Sequence, residues 1–204
     1  MEKSVPYFKR GFIIEGLDIL NKAIELNPVK HLCYRAYWYF QNRNYQMCIR
    51  DLERYYQMPK SYEVELTPGG DLDMRFLLGM SYAKIGEINK GIEVIKNCID
   101  SYAKNSDAGF VDFHILGMLY VKNKEYKKAL EVFKKQMQIT EDYADTYYYL
   151  GLVYEEINQL DKAKEIYKKG IEKFNYEYRI RNGYLCFKVY VTDLENQLNK
   201  ITKL

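Results

Sequence analysis

The chain has 204 residues, 48% of them hydrophobic and 29% charged, a balance that excludes a disordered polypeptide and supports a buried core. Its 31 Lys and Arg against 28 Asp and Glu leave a formal charge of +3, which argues against nucleic acid or an anionic membrane as partner. No uncharged apolar run approaches the roughly 20 residues of a bilayer span, MEKSVPYFKR has no signal-peptide core, and the four scattered cysteines lack a C-x-x-C pair, so a disulfide-free cytoplasmic protein is expected.

The first expected element covers residues 7–28, YFKRGFIIEGLDILNKAIELNP. It reads as the end of a short helix followed by a full second helix that stops at Pro28. Apolar surface near Phe8, Phe12 and Ile13 is either packed down by the N-terminal segment or used to form a homodimer through that end. A second helix pair is expected over 35–52, RAYWYFQNRNYQMCIRDL. Residues 58–73, MPKSYEVELTPGGDLD, then interrupt the helices. Glu63 to Thr67 alternates as a strand would and TPGGD turns the chain, so the segment is an ordinary long loop, or a lid or edge for a peptide.

Further helices follow. Tyr126, Ala129, Leu130, Phe133 and Met137 fall at i, i+3, i+4, i+7 and i+11, one apolar stripe of an α-helix. Ile157, Leu160, Ala163, Ile166, Tyr167 and Ile171 continue the pattern beyond a turn at NQLD. Residues 178–201 read as one long final helix with Ile180, Tyr184, Phe187, Val191, Leu194, Leu198 and Ile201 on a stripe; it is a cap or a sixth, degenerate repeat helix.

These elements repeat. Phe113, Leu116, Gly117 and Tyr120 recur as Tyr147, Leu150, Gly151 and Tyr154, and Ala129 and Phe133 recur as Ala163 and Tyr167, all at an offset of 34. Leu78, Gly79, Tyr82, Gly91 and Ile95 stand 38 residues before their counterparts, the excess fitting the loop KNSDAG at 104–109. Ala36, Tyr39, Cys48 and Leu52 form a weaker copy, 43 residues upstream at Ala36 to Gly79 because of the 58–73 insert. The small residues Gly117, Ala129, Gly151 and Ala163 let antiparallel helices approach closely.

An aromatic, Leu-Gly and Tyr at these spacings, followed by Ala-x-x-x-Phe, resembles the tetratricopeptide (TPR) repeat, whose period is about 34 residues. The resemblance covers roughly 5–177 in about five units, with Arg75 and Gly91 departing from the pattern in the third. It implies an all-α, right-handed superhelical solenoid of antiparallel helix pairs, a single domain over 1–204 with a capping helix at 178–204. It also implies that the first helix of each pair lines a concave groove.

On those first helices the groove positions are Cys33, Tyr37 and Phe40, then Phe76, Met80 and Ala83, then His114, Met118 and Val121, then Tyr148, Leu152 and Glu155. Lys84, Lys122 and Glu156 stand at the rim. The partner-binding set is Tyr37, Phe40, Phe76, Met80, His114, Met118, Tyr148 and Leu152 with Lys84 and Lys122, a surface suited to an amphipathic helix or apolar peptide. The alternative is that these residues pack against neighbouring helices or against the chain's own segments. One TPR subclass grips a terminal carboxylate with Lys, Asn and Arg; Cys33, Tyr37, Phe76, Met80, His114 and Met118 cannot build that clamp.

Neither histidine has a spacing that implies catalysis, and His31-x-Cys33 lacks a second ligand pair. No P-loop, dinucleotide fingerprint or nucleophile elbow occurs. The Lys pairs 127–128, 134–135 and 168–169 read as solvated convex faces. The expectation is therefore no enzyme, no cofactor and no metal, but a peptide- or protein-binding adaptor; the alternative is a peptide sensor whose solenoid changes curvature.

Overall fold

The computed structural model describes residues 2–59, 64–102, 109–174 and 188–203. Glu63, the loop residues Lys104 to Ala108, and Ile180, Tyr184 and Phe187 of the expected final helix lie outside them. After a short 3-10 turn at Glu2–Ser4 come α1 (Val5–Lys9), α2 (Ile13–Leu26), α3 (Pro28–Gln41), α4 (Tyr45–Tyr56), α5 (Met74–Lys84) and α6 (Ile88–Ser101). They are followed by α7 (Asp112–Lys122), α8 (Tyr126–Ile139), α9 (Ala144–Glu156), α10 (Leu160–Phe174) and α11 (Val191–Thr202). The chain divides into two compact units, Met1–Val94 and Ile95–Leu204, with the division inside α6. The sequence gives no sign of that division.

One turn closes every first helix. Five of the six described residues with a left-handed backbone lie in these turns: Gly11, Arg43, Gly86, Lys124 and Asn158, with φ between 58° and 95°. Each stands four residues after a tyrosine. The N–H of the next residue donates back to that tyrosine's carbonyl: Phe12 to Tyr7, Asn44 to Tyr39, Glu87 to Tyr82, Glu125 to Tyr120 and Gln159 to Tyr154, at 2.8–2.9 Å. This is the Schellman closure, which satisfies helix-end carbonyls and turns the chain directly into the second helix. At Arg43 and Lys124 a side chain occupies a conformation that favours glycine, at a cost of about 1–2 kcal/mol each. The recurrence extends the register to the first pair, through Tyr7 and Gly11.

The second helices bury one narrow stripe: Cys48, Leu52 and Tyr55 on α4, Ala129, Phe133 and Gln136 on α8, Ala163, Tyr167 and Gly170 on α10. The spacing is i, i+4, i+7, one helical face. On α8 the stripe ends on Gln136, and Met137, expected there, is only half-buried. The glycines of the first helices make room for the rings of this stripe. A methyl group on Gly117 would lie 2.5 Å from the Phe133 ring, and one on Gly151 2.2 Å from Tyr167. In unit 1 the approach is backbone to backbone, since a methyl on Gly91 would meet the Gly79 carbonyl oxygen at 2.4 Å.

The insert between α4 and α5 closes as a bent hairpin with a single antiparallel bridge, Leu66 to Asp73. Thr67 N–H donates to Leu72 O and Met74 N–H to Glu65 O, both at 2.8 Å. Tyr55 Oη donates to Glu65 at 3.3 Å, fastening the loop to α4. Burial raises the Glu65 pKa, and the Tyr55 bond opposes that rise. The described part of the insert thus forms one bridge rather than a strand.

At the C-terminal end residues 188–190 are not helical, and α11 starts at Val191 after an extended Tyr190. The expected continuous helix from 178 is therefore broken within its described part. Leu194 and Ile201 of α11 join Ala163 and Tyr167 in one buried cluster, with Tyr148, Tyr154 and Leu198 packed around it. Covering an otherwise open repeat face is what a terminal cap does.

Candidate binding surface

The first helices place the expected site residues in three environments. Phe40, Phe76, Met80, His114 and Met118 are buried, and Phe76, Met80 and Met118 have no exposed surface at all. Tyr37, Tyr148 and Leu152 are half-buried, and Lys84 and Lys122 are exposed at the last turns of α5 and α7. The buried five are taken up by helix packing, as the ring of Phe40 against Tyr45 shows, with centroids 5.7 Å apart.

In unit 1 the accessible part of α3 is aromatic. Phe8 of α1 stacks on Trp38 at 4.1 Å and 13°, and Tyr37 meets Trp38 edge-on at 5.6 Å. Tyr34 lies 6.5 Å from Tyr37 and 6.2 Å from Phe8. Phe8 is buried, whereas Tyr34, Tyr37 and Trp38 are half-buried, so three aromatic residues share a partly open face. The Trp38 indole nitrogen is buried without an acceptor among the described residues. Tyr34 and Trp38 escaped the sequence reading, which phased α3 on Cys33, Tyr37 and Phe40; the run AYWYF held the signal. Phe12, Ile14 and Leu26 of the same unit are exposed.

Unit 1 also holds a buried ion pair between α3 and α4. Arg35 Nε and Nη2 donate to Asp51 Oδ2 and Oδ1 at 2.6 and 2.7 Å, and Nη1 donates to Asn21 Oδ1 at 2.5 Å. Burial alone would lower the Arg35 pKa; the bond and charge of Asp51 outweigh it and hold the guanidinium above its ordinary value. Tyr82 Oη donates to Glu53, and Lys90 Nζ sits over the Tyr82 ring at 4.1 Å. Burial, then the Glu53 bond, raises the Tyr82 pKa.

In unit 2 His114 is fully enclosed. Its Nδ1 lies 3.1 Å from Thr146 Oγ1, with Tyr143 and Tyr149 edge-on at 4.7 and 5.7 Å. Burial pushes its pKa down to about 3. The folded chain thus keeps this imidazole neutral, while the unfolded chain takes a proton below about pH 6.5. Stability should fall as pH drops from 6.5 toward 3, by about 2 kcal/mol at pH 5 from this residue. His114→Asn should remove that increment: comparing urea midpoints at pH 7 and 5, the variant loses about 2 kcal/mol less than the parent. Equal losses would show that His114 is not the responsible group.

Tyr148 is covered by the chain's own α11. Gln197 lies within hydrogen-bonding reach of its hydroxyl, and burial raises its pKa. Lys200 Nζ stands 3.6 Å from Glu155, which also accepts a hydrogen bond from Tyr167 Oη. Of the unit 2 set, Leu152 and Lys122 remain alongside the partly covered Tyr148.

Cys33, Cys48 and Cys98 are buried, and burial pushes the Cys48 thiol up to about 12, far from a reactive thiolate. Burial lowers the His31 pKa. Among the described residues no group of three or more His, Cys, Asp or Glu side chains could hold a metal ion, and no helix is long and apolar enough to cross a membrane.

A family model described as TPR repeat matches residues 117–158, and models described as tetratricopeptide repeat match 145–174 and 72–105. A search of curated proteins finds no match. Among solved structures, MamA is similar with a TM-score of 0.71 and 20% identity, over 86% of this chain and 96% of that one. YrrB, described as a TPR protein with an unusual peptide-binding site, gives 0.65 and 17%, over 85% and 84%. The first TPR of Spaghetti (RPAP3), bound to the HSP90 peptide SRMEEVD, gives 0.50 and 17%, over 63% and 88%. At such identities the likeness concerns the fold. Repeat models, helix pairs and five tyrosine-anchored turns together show that this chain carries tetratricopeptide repeats, matched over residues 72–105, 117–158 and 145–174.

Proposed function

We propose that the chain is a non-catalytic scaffold that holds a peptide or protein segment on the accessible apolar residues of its first helices. The observation that carries this reading is the half-open aromatic face of α3, Tyr34, Tyr37 and Trp38. Large aromatics that are partly exposed yet held in place by their neighbours lose little freedom on binding and dominate interface energetics. Leu152 with Tyr148 is the corresponding surface in unit 2, and Lys84 and Lys122 supply charge. The printed descriptions of YrrB and of the RPAP3 repeat bound to an HSP90 peptide support peptide holding as work this fold does.

The clamp positions carry no cation here, so the segment is held by apolar contact rather than by its terminal carboxylate. The test is affinity capture from the native cell with the parent, Tyr37→Glu and Leu152→Glu, each checked for unchanged helical circular dichroism. A partner retained by the parent should fall at least about 10-fold with one of the two variants, equivalent to about 1.4 kcal/mol. Equal recovery with all three proteins would overturn the assignment.

A further inference from the structure

The second helices of unit 2 differ in charge from those of unit 1. Helix α8 carries four lysines against one carboxylate and α10 five against three. Helix α4 has two arginines against two carboxylates, and α2 one lysine against three. Within unit 2 the first helix α9 carries three carboxylates and no basic residue. Lysines therefore gather on the second helices of that unit alone.

They gather in register. Lys134 and Lys135 of α8 recur 34 residues later as Lys168 and Lys169 of α10, and Lys128 recurs as Lys162; all six are exposed. Repeat-equivalent positions present their side chains in the same sense, so the pairs form successive rungs on one side of the unit. Some make local contacts: Lys128 with Glu125, Lys169 with Glu165 at 2.8 Å, and Lys135 over the Phe113 ring at 5.6 Å. Exposed pairs of this kind are weak and yield to a multivalent anion. Lys134 and Lys168 make no ion pair among the described residues.

We propose that this lysine face of α8 and α10 docks an acidic polypeptide segment, independently of the aromatic face of α3. The chemistry of the face selects the partner class. Neither helix contains an arginine, so bidentate phosphate recognition is lacking. Phe133 and Tyr167 are buried, and the two half-buried aromatics, Tyr126 and Phe174, stand at the first residue of α8 and the last of α10, so no aromatic row runs along the lysine face for bases to stack on. Ile139 is the one large apolar residue of these two helices that is exposed, too little to enter a bilayer. Carboxylates need only positive charge at suitable spacing. Lysines seven residues apart on a helix stand about 10.5 Å apart, the reach of three residues of extended acidic chain.

The experiment uses the full chain and a fluorescein-labelled peptide of four Glu-Asp-Ser-Glu repeats, read by fluorescence anisotropy. The parent should bind at about 50 mM salt and weaken about 10-fold or more by about 200 mM. The quadruple variant K134Q/K135Q/K168Q/K169Q should weaken binding at least about 10-fold at the lower salt. A charge-matched control, K3Q/K9Q/K22Q/K30Q, should change it less than about 3-fold. Absence of binding at low salt, or equal weakening by the two quadruple variants, would overturn the proposal. Tighter binding to phosphatidylserine-containing vesicles or to single-stranded DNA would overturn the partner class.

Discussion

Asp51→Ala should destabilise unit 1 by about 3–5 kcal/mol, a large part of the roughly 5–15 kcal/mol that holds a small domain folded. The carboxylate has 1% of its side chain exposed and the guanidinium 9%. Removing Asp51 leaves a largely buried cation whose remaining hydrogen-bond partner at these atoms is Asn21. Replacing both partners with apolar residues of similar size, Arg35→Met with Asp51→Leu, should recover most of the loss, because the penalty comes from the orphaned charge rather than from the missing attraction. Urea unfolding followed by circular dichroism measures both. A loss below about 1 kcal/mol for Asp51→Ala would mean that the arginine reaches solvent.

The second large effect is expected in unit 2. Gln136 has no exposed surface, yet occupies the core stripe of α8. Its Oε1 accepts from His114 N–H at 2.8 Å, and its Nε2 donates to Phe110 O at 2.8 Å. The residue before helix α7, Val111, stands at the N-cap and offers no side-chain cap, so the amide of another helix satisfies an N–H that local sequence leaves open. Gln136→Leu fits the stripe but orphans two backbone groups, and should cost about 2–4 kcal/mol. Amide exchange at His114 should accelerate in the variant beyond the global change in stability. Unchanged protection there would show that the capping contact is dispensable.

Gln136 also shows what periodicity misses. A stripe of Ala129, Phe133 and Met137 satisfies an apolar count, while the burial runs through Gln136, one residue earlier and about 100° round the helix. Polar residues are discounted when a core is read from sequence, so one that earns its place by capping a neighbour is invisible. The reading of α3 is right only in part for the same reason: Cys33 and Phe40 are buried, and Tyr37 shares the open surface with Tyr34 and Trp38, which lie off the stripe chosen. His114 and Met118 stood at the spacing expected of a lining residue, and both are enclosed.

By itself the sequence determined the helix pairs and their spacing. Those features are local: a tyrosine, a left-handed residue four positions later and a small residue facing a ring recur within one pair, so each copy repeats the signal. Only the tertiary structure decided which first-helix side chains stay open. Helix α7 is buried continuously from Asp112 through Tyr120, and a helix enclosed on every side has no polar face from which to read a direction. Its exposure is set by what packs around it, and α11, from the far end of the chain, sets it in the same way for Tyr148.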